Sequence, residues 1–426
     1  MKAGGLLEVI CVNAIFSGTI FFSRKFMGLN DRYFYEDIGL GSVPDKMICA
    51  NHLEVQALNR YIRKNAVRGT CSYCDTAYKV LPFVELMEFI MKSVNFFFED
   101  AGNYQPYESK EGGYYWGGQY EPEDIIQDFL QIDATPFEIV TDIQESLDDS
   151  KTWTNYYQFY DSIADEYFNR WQFFCKTVKH QTRYLFHHKS NNQKLHLENT
   201  NPSETLQDIE QFIKSKKLYK TLPAGVIILR GQQHHASKKA ECQEASRLVS
   251  PPIEFARNAN RFSPSGISMF YGAFDFETVI KEIYKQYVDD LENRITIGKF
   301  KLKRDVRLID LTSIPEIPSA FEHSKLNSSY YDTVFLHQFT RSISEPIDEN
   351  LSYDIEYVPT QIITEYFKHQ LNDSLKKPIE GILYPSAAKS GGTSLVLFWN
   401  NSLSLENLEL INTTYFSDIE RFLEPC

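Results

Sequence analysis

Four potential metal ligands stand in two pairs near the start of the chain. Cys49 and His52 are separated by two residues, and so are Cys71 and Cys74 a short distance later. Thiolates and an imidazole at this spacing can close a tetrahedron around zinc, which leaves no position for a catalytic water. The pattern therefore predicts a structural zinc site. The alternative interpretation is a set of buried thiols beside a core histidine.

A second group of residues, in the C-terminal half, is suited to holding an anion. Arg230 closes the apolar segment 225–230, and the polar turn 260–266, which contains Arg261, leads into an apolar strand that contains Tyr271. A guanidinium at a strand end beside such a turn can bind two phosphate oxygens at once. This pattern indicates a site for a ligand that carries phosphate.

Two residues further along could complete such a site. Glu282 lies in a helix expected over 276–288, and Ser386 follows a strand expected over 381–384. By periodicity alone, Glu282 is on the polar side of its helix and Ser386 is a turn residue, so both patterns are also typical of solvated positions. Glu277 is the alternative carboxylate on the same helix.

Residues 222–400 resemble the RES domain, a family named for an Arg, a Glu and a Ser. Arg230, Glu282 and Ser386 match those three positions. The segments Asn-Arg-Phe-Ser-Pro-Ser-Gly, Tyr-Val-Pro-Thr-Gln and Leu-Val-Leu-Phe are similar to those of long RES proteins that carry an N-terminal Cys/His region; they begin at Asn260, Tyr357 and Leu395. Many shorter members have Gly-Arg-Trp-Asn where this chain has Asn-Arg-Phe-Ser.

The resemblance implies an ADP-ribosyltransferase-like fold and an enzyme that cleaves NAD⁺ between nicotinamide and ribose. Family members pass the ADP-ribose to inorganic phosphate, to water or, in at least one case, to a protein, and many are toxins of toxin–antitoxin pairs. We therefore expect an NAD⁺ phosphorylase or glycohydrolase, acting as a toxin or an anti-phage defence effector. An antitoxin or another regulatory protein is an expected partner. An ADP-ribosyltransferase acting on a macromolecule and a module that senses NAD⁺ without consuming it are alternatives.

The residue types suit the chemistry that the resemblance implies. Breaking an N-glycosidic bond builds positive charge on the ribose, which a carboxylate such as Glu282 can stabilise. Arg230 would bind one phosphate, and Arg261 a second phosphate of NAD⁺ or of the acceptor. Tyr271 would stack on nicotinamide or bind the ribose, and Ser386 would hydrogen-bond the ribose or the amide. Ser386 is not expected to be a nucleophile, because no His/Asp partners present themselves by spacing.

A rival activity comes from Arg183 and His188, which match the Arg-x4–6-His signature of HEPN ribonucleases. In active HEPN enzymes this pair lies at a dimer interface and cleaves RNA by acid–base chemistry. The motif is short, and its aromatic surroundings favour a scaffolding or dimerising helix pair instead. A homo-oligomer is expected on the same ground.

Composition limits the other possibilities. The chain has 426 residues and a net charge of −13, which argues against stable nucleic-acid binding, since that needs a basic face. Its seven cysteines are an odd number and mostly scattered, as suits a reducing cytoplasm rather than a disulfide framework.

The chain divides into four segments by composition and pattern. Residues 1–26 form an apolar extension, open to interpretation as an upstream extension, a membrane-associating segment or a signal peptide. The metal-binding region is expected over 27–118, a helical HEPN-like region over 119–200, and the RES domain over 205–426. Because strands and helices do not alternate strictly in the last segment, we expect an α+β fold.

Specific elements follow from the hydrophobic periodicity. Ile163, Tyr167, Trp171, Phe174 and Val178 recur at steps of three and four, which predicts a long helix with one buried face. Two strands are expected within 295–311, on either side of a turn at 303–305. A helix is expected over 360–371 and a strand over 395–399.

Overall fold

The computed structural model describes residues 38–74, 79–103, 107–108, 113–114, 118–155, 163–184, 202–284, 294–348, 351–371 and 378–417. The apolar extension 1–26 lies outside these ranges. The chain divides into two compact units, Met1–Asn155 and Tyr156–Cys426. Within the described ranges, no helix combines the length and the apolar composition needed to cross a bilayer.

The first unit combines short strands with three α-helices in its described part. The helices are α1 (Gln56–Asn65), α2 (Phe83–Phe97) and α3 (Glu138–Glu145), with a π-helical turn at Asp124–Phe129. The strands are β1 (Met47–Ile48), β2 (Val67–Arg68), β3 (Lys79–Pro82), β4 (Phe98–Asp100), β5 (Tyr107–Glu108), β6 (Gly113–Tyr114), β7 (Gln119–Tyr120) and β8 (Trp153–Asn155). They form small sheets in the orders β1-β3-β2, β4-β8-β7 and β5-β6. The first of these sheets carries the Cys/His residues between and beside its strands.

The second unit places its longer helices beside one large sheet. Its described helices are α4 (Ile163–His180), α5 (Pro202–Ser215), α6 (Ala245–Leu248), α7 (Phe276–Ile283), α8 (His323–Ser344), α9 (Tyr353–Glu356), α10 (Val358–Tyr366) and α11 (Asn401–Asn407). Its described strands are β9 (Tyr219–Leu222), β10 (Ile227–His234), β11 (Phe270–Ala273), β12 (Arg294–Leu302), β13 (Val306–Asp310), β14 (Gly381–Pro385), β15 (Thr393–Leu397) and β16 (Leu408–Phe416). Together the two units confirm the α+β class.

The sheet of the second unit is strongly curved. Its order is β16-β12-β10-β11-β15-β14-β13-β9, so β12 and β13 stand second and seventh. In a flat sheet they would be about 24 Å apart, since neighbouring strands are spaced by about 4.8 Å. Yet the turn from Leu302 to Val306 spans at most about 15 Å of extended chain. The sheet must therefore bend back on itself, and β12 and β13 pair with different strands although a turn of three residues joins them.

Aromatic side chains fill the core between α4, α5 and α8. Trp171 and Phe174 of α4 are buried, and the Trp171 ring lies edge-on to Phe339 of α8 at a centroid distance of 5.1 Å. Phe212 of α5 meets Phe335 of α8 in the same edge-to-face way. The periodicity that predicted a helix over 163–178 is confirmed by α4, and packing of this kind fixes α8 beside the sheet.

Candidate functional site

Glu282 and Ser386 are brought together at one end of the curved sheet. Glu282 lies in the last turn of α7, and Asp275 is the N-cap of this helix. The Asp275 carboxylate accepts hydrogen bonds from the backbone N–H and the hydroxyl of Thr278 at 2.9 and 2.7 Å. Such a cap fixes where the helix starts. Ser386 directly follows β14, and its Oγ donates to Glu282 Oε1 at 2.6 Å.

The direction of the Ser386 hydroxyl is determined by its surroundings. Its oxygen accepts hydrogen bonds from the backbone N–H groups of Ala388 and Lys389, both at 3.2 Å, so its single proton is directed to Glu282. Ser394 of β15 adds a second hydroxyl, whose Oγ lies 3.3 Å from the same Oε1. Glu282 itself remains exposed. It is therefore an oriented carboxylate that a ligand can reach.

Glu277, the alternative carboxylate of α7, is engaged elsewhere. Its two oxygens pair with Lys389 at 2.9 Å and with Lys281 at 3.0 Å. Hydrogen bonds from Lys389, then from Lys281, lower the pKa of Glu277. The geometry thus separates the two carboxylates: Glu277 belongs to an ion-pair network, and Glu282 faces Ser386.

The loop that carries Ser386 is attached to the start of α7. Lys389 Nζ lies 2.9 Å from both Asp275 Oδ1 and Glu277 Oε2. The backbone N–H of Ser386 donates to the Gly392 carbonyl at 2.9 Å, which closes the loop. A Cβ on Gly392 would lie only 2.7 Å from Thr278 Oγ1, so the loop packs directly on α7. We call this arrangement of Lys389 with Asp275 and Glu277 the Lys389 clamp.

Arg230 lies on β10, and its guanidinium is occupied by the sheet itself. Its Nη1 donates to the Tyr271 carbonyl at 2.7 Å, and the guanidinium stands 5.2 Å from the centre of the Phe270 ring. Burial lowers the pKa of Arg230 to about 10, which leaves the side chain charged at neutral pH. Arg230, the residue expected to bind a phosphate, is thus a cation that donates a hydrogen bond to a backbone carbonyl.

Tyr271 supports the turn 260–266 rather than projecting away from it. Its hydroxyl lies 2.9 Å from Ser263 Oγ and accepts a hydrogen bond from the Phe262 N–H at 3.2 Å. Burial raises the pKa of Tyr271 to about 12, so the phenol stays protonated. Within the turn, Asn260 and Ser263 exchange backbone hydrogen bonds at 2.8 and 3.2 Å. The Tyr271 hydroxyl, which was expected to bind the ribose, thus hydrogen-bonds to residues of the protein itself.

Arg261 is bonded to the end of α8. Its Nη1 donates to the Ile343 carbonyl at 2.6 Å and its Nη2 to the Glu345 carbonyl at 3.0 Å. These carbonyls are among those that a helix end leaves without intrahelical partners, and arginine commonly satisfies them. Arg261, the second residue expected to bind a phosphate, therefore donates hydrogen bonds to the C-terminal end of α8 in this structure.

Two tyrosines near Glu282 were not singled out from the sequence. Burial raises the pKa of Tyr384 well above its ordinary value, and the nearby negative charge of Glu282 raises it further. Burial also raises the pKa of Tyr357, where Glu282 acts in the same direction and Arg261 opposes. Both are neutral phenols that flank the carboxylate. Tyr357 is the first residue of one of the segments that resemble the family, and Tyr384 is the last residue of an expected strand. These two positions were the sequence features that could have indicated them.

A cavity of about 570 Å³ is lined in part by Ser386. Ser386 and Gly391 contribute from the loop, and α8 contributes His337, Thr340, Arg341 and Ser344. Its volume lies within the range of about 300–1,000 Å³ that is typical of small-molecule sites. The α8 residues were also missed from the sequence. The signal was there, because buried Phe335, Leu336, Phe339 and Ile343 recur at helical spacing beside this polar stripe.

Cys49, His52, Cys71 and Cys74 converge in the first unit, with all ligand atoms within 4.8 Å of one another. The Sγ atoms of Cys49 and Cys74 are 3.9 Å apart, and Cys71 Sγ is 3.3 Å from His52 Nε2. Ligands about 2.3 Å from a tetrahedral centre lie roughly 3.8 Å from each other, so the spacing fits a bound metal ion. This set of residues could hold a metal.

The surroundings of the cluster favour the same conclusion. His52 Nδ1–H donates to the Thr135 carbonyl at 2.6 Å, which leaves the Nε2 lone pair directed at the thiols. Burial raises the pKa of Cys49 to about 11, so this thiol is neutral at neutral pH unless a cation displaces its proton. We call these four residues the Cys/His cluster.

Of the HEPN-like pair, Arg183 lies three residues after the end of α4, and His188 lies outside the described residues. The α4 helix that precedes the pair packs against α5, α8 and α10 of the second unit. The expectation of catalytic RNA cleavage by this pair therefore stays a prediction.

Comparison with protein families gives two matches. The HEPN/RES N-terminal domain 1 model matches residues 64–192, and the RES domain model matches residues 240–413. Glu282 and Ser386 lie within the second match, whereas Arg230 precedes it. No curated protein and no solved structure matches the chain significantly. The matches confirm the resemblance of the C-terminal part and of the HEPN-like region before it.

Proposed function

We propose that this chain, which belongs to the RES domain family and carries a HEPN/RES N-terminal domain ahead of its RES domain, cleaves NAD⁺ between nicotinamide and ribose. The observation that carries this proposal is the Glu282–Ser386 pair, an exposed carboxylate oriented by a hydroxyl and placed beside a ligand-sized cavity. Membership of the family implies chemistry on NAD⁺ in general. The reaction and its residues are our proposal, as is the ADP-ribosyltransferase-like fold.

The chemistry proceeds by loss of a neutral leaving group. The C1–N bond of the nicotinamide riboside breaks, its electron pair stays on the ring nitrogen, and positive charge develops on the ribose. The Glu282 carboxylate stabilises that charge, and Ser386 keeps the carboxylate in one orientation. An oxygen of phosphate or water then forms the new bond to C1. Water must lose a proton in this step, which Glu282 can accept, whereas a phosphate dianion need not.

Ser386 acts as an orienting group in this scheme rather than as a nucleophile. Its proton is directed to Glu282, and its oxygen already accepts two backbone hydrogen bonds. Arg230 and Tyr271 support the sheet and the turn that form the site, and Arg261 holds the end of α8 beside it. Tyr384 is buried against Phe262, and the Tyr357 ring lies between Tyr353 and the Arg261 guanidinium, so these neutral phenols shape the surroundings of Glu282.

For the Cys/His cluster we propose a structural zinc ion. Three thiols and one imidazole complete a tetrahedral set, so no position remains for a catalytic water. When bound, zinc would join β1 and the segments around Cys71 and Cys74 into one folded unit. A toxin or defence role, cytoplasmic action, a regulatory protein partner and homo-oligomerisation are further parts of the proposal that rest on the family alone.

The test is a direct assay of purified full-length protein. The protein is incubated with NAD⁺ in the presence and absence of inorganic phosphate, and the products are separated by chromatography. We expect nicotinamide to be released from NAD⁺. A product that carries an additional phosphate identifies phosphorolysis, and free ADP-ribose identifies hydrolysis. If nicotinamide is not released under either condition, and NAD⁺ is recovered intact, the proposed activity is wrong.

A further inference from the structure

The two arginines expected to bind phosphate are both bonded to backbone carbonyls. Arg230 donates to Tyr271 O at 2.7 Å, and Arg261 donates to the carbonyls of Ile343 and Glu345. A guanidinium has five N–H donors, so these bonds do not exhaust it, but they fix its direction. A substrate or acceptor that carries phosphate therefore needs further donors close to Glu282 and Ser386.

The cavity beside Ser386 has hydroxyls that lack partners. Thr340 and Ser344 of α8 line this cavity, and only 5% and 8% of their surfaces are exposed. Within the described part of the chain, neither Thr340 Oγ1 nor Ser344 Oγ has a hydrogen-bond partner. The two residues are four positions apart, so they lie one above the other on the same face of the helix.

Buried hydroxyls without partners are unusual, because helical Ser and Thr commonly bond the carbonyl four residues back. Thr333, earlier on the same helix, does so with the carbonyl of Ser329 at 2.7 Å. Rotation about χ1 exchanges the Thr340 hydroxyl with its methyl group, and Thr occupies two rotamers in helices. Both oxygens are shielded from solvent as placed, and rotation about χ1, which the smaller Ser344 side chain also permits, would present them to a ligand in the cavity.

The cavity wall also supplies a guanidinium that a phosphate can bind. Arg341 lies between the two hydroxyl residues in sequence, and its side chain is 84% exposed. It pairs with Glu345 at 3.3 Å, but an exposed pair of this kind is weak, so a ligand can compete for the guanidinium. Glu345 is the single carboxylate among the described residues that line the cavity, and Arg341 offsets its charge.

We infer that this cavity binds a phosphate group through Thr340, Ser344 and Arg341. The phosphate is either part of the NAD⁺ diphosphate or the inorganic acceptor, and the same donors suit both. This inference rests on the proposed function for its reaction, since Ser386 belongs both to the cavity wall and to the Glu282 pair. The binding itself can be measured without turnover.

In the experiment, full-length protein is titrated with inorganic phosphate and with inorganic pyrophosphate, and calorimetry measures the affinity for each. Arg341→Gln and the double variant Thr340→Val/Ser344→Ala are expected to weaken binding about tenfold. Arg247→Gln removes an exposed arginine that is outside the cavity and serves as the matched control. Far-ultraviolet circular dichroism checks that each variant is folded.

Kinetics then distinguish the two sources of phosphate. A raised KM for NAD⁺ with an unchanged KM for phosphate assigns the cavity to the dinucleotide, and the reverse result assigns it to the acceptor. If the wild type binds neither probe, or if the cavity variants bind as it does, the inference is wrong. Should the wild type bind pyrophosphate in an Arg341-dependent way without releasing nicotinamide, the site stands and the proposed function fails.

Discussion

Ser386 Oγ lies 2.6 Å from Glu282 Oε1, although the two residues are 104 positions apart in the sequence. A carboxylate held at this distance by a hydroxyl keeps one orientation, whereas an isolated glutamate at the end of a helix would sample several. The pair joins α7 to the loop after β14. The hydrogen bond thereby couples two residues whose side chains would otherwise be independent.

Replacing Glu282 by Gln should reduce NAD⁺ cleavage by about 10²–10⁴, or roughly 3–5.5 kcal/mol of transition-state stabilisation. The amide is similar in size but carries no charge to offset that of the ribose. The measurement is kcat for nicotinamide release. Glu277→Gln is the matched control, because this carboxylate is on the same helix but is paired with lysines. Equal losses in both variants would contradict the assignment.

Ser386→Ala should cost less than the loss of the carboxylate. It removes one hydrogen bond to a charged group, worth about 1.5–3 kcal/mol, which corresponds to a loss in kcat of roughly ten- to a hundredfold. Because Ser394 also lies near Glu282 Oε1, some orientation is retained. Ser386→Thr, which keeps the hydroxyl, should recover part of the rate. Complete inactivity of Ser386→Ala with a trapped covalent adduct in the wild type would instead identify a nucleophile.

The fold could be anticipated wherever the pattern is local. The apolar spacing along residues 163–178 is a property of one helix, and α4 confirms it. The two strands expected within 295–311 are present as β12 and β13. Their partners could not be inferred, because curvature of the sheet depends on contacts among eight strands and not on either segment.

The site was accessible to sequence reasoning only in part. Resemblance selected Glu282 over Glu277, and periodicity could not, since both lie on the exposed side of α7. The bonds of Arg230 and Arg261 to backbone carbonyls depend on which loop ends pass nearby, and no residue type encodes that. The polar stripe of α8 was missed because its role appears only when the helix is packed beside the Ser386 loop.

Lys389→Met should loosen the Ser386 loop and lower kcat by about fivefold, a typical consequence of losing a partly exposed ion-pair network. The lysine joins the loop to both Asp275 and Glu277, so its loss frees the loop from α7. Hydrogen exchange of loop amides should increase at the same time. Lys281→Met removes only a pair with Glu277 and should leave the loop unchanged, and Lys389→Arg should restore it. Unchanged exchange in Lys389→Met would contradict this role.

The stabilising effect of the Lys389 clamp should depend on pH in a defined direction. Burial opposes ionisation of Asp275, but hydrogen bonds from Thr278 and Lys389 outweigh it and lower the pKa below its ordinary 3.8. The pKa of Glu277 is also lowered, from 4.5, and that of Lys389 is raised from 10.5.

A carboxylate with a lowered pKa stabilises the fold above its ordinary value, and the effect is lost as pH falls through the lowered value. Lys389, whose pKa is raised, stabilises the fold below its ordinary pKa, and this effect is lost as the pH rises through the raised value. The difference in unfolding free energy between wild type and Lys389→Met should therefore be constant from about pH 5 to 9 and shrink as the pH falls from the ordinary pKa of Asp275 through its lowered pKa. Urea denaturation at several pH values measures it. A difference that grows towards acid would contradict the sign.

Removing the metal should unfold the region around the Cys/His cluster, because three thiols and His52 gather there with little other core between them. Purified wild type should contain about one zinc per chain by mass spectrometry. Cys71→Ser should lose it and become sensitive to limited proteolysis near β1 and β3. Cys175→Ser is the control, because this thiol belongs to the second unit and is outside the Cys/His cluster. A metal-free wild type with the same proteolysis pattern as the zinc-loaded protein would show that the cluster is a set of buried thiols beside a histidine.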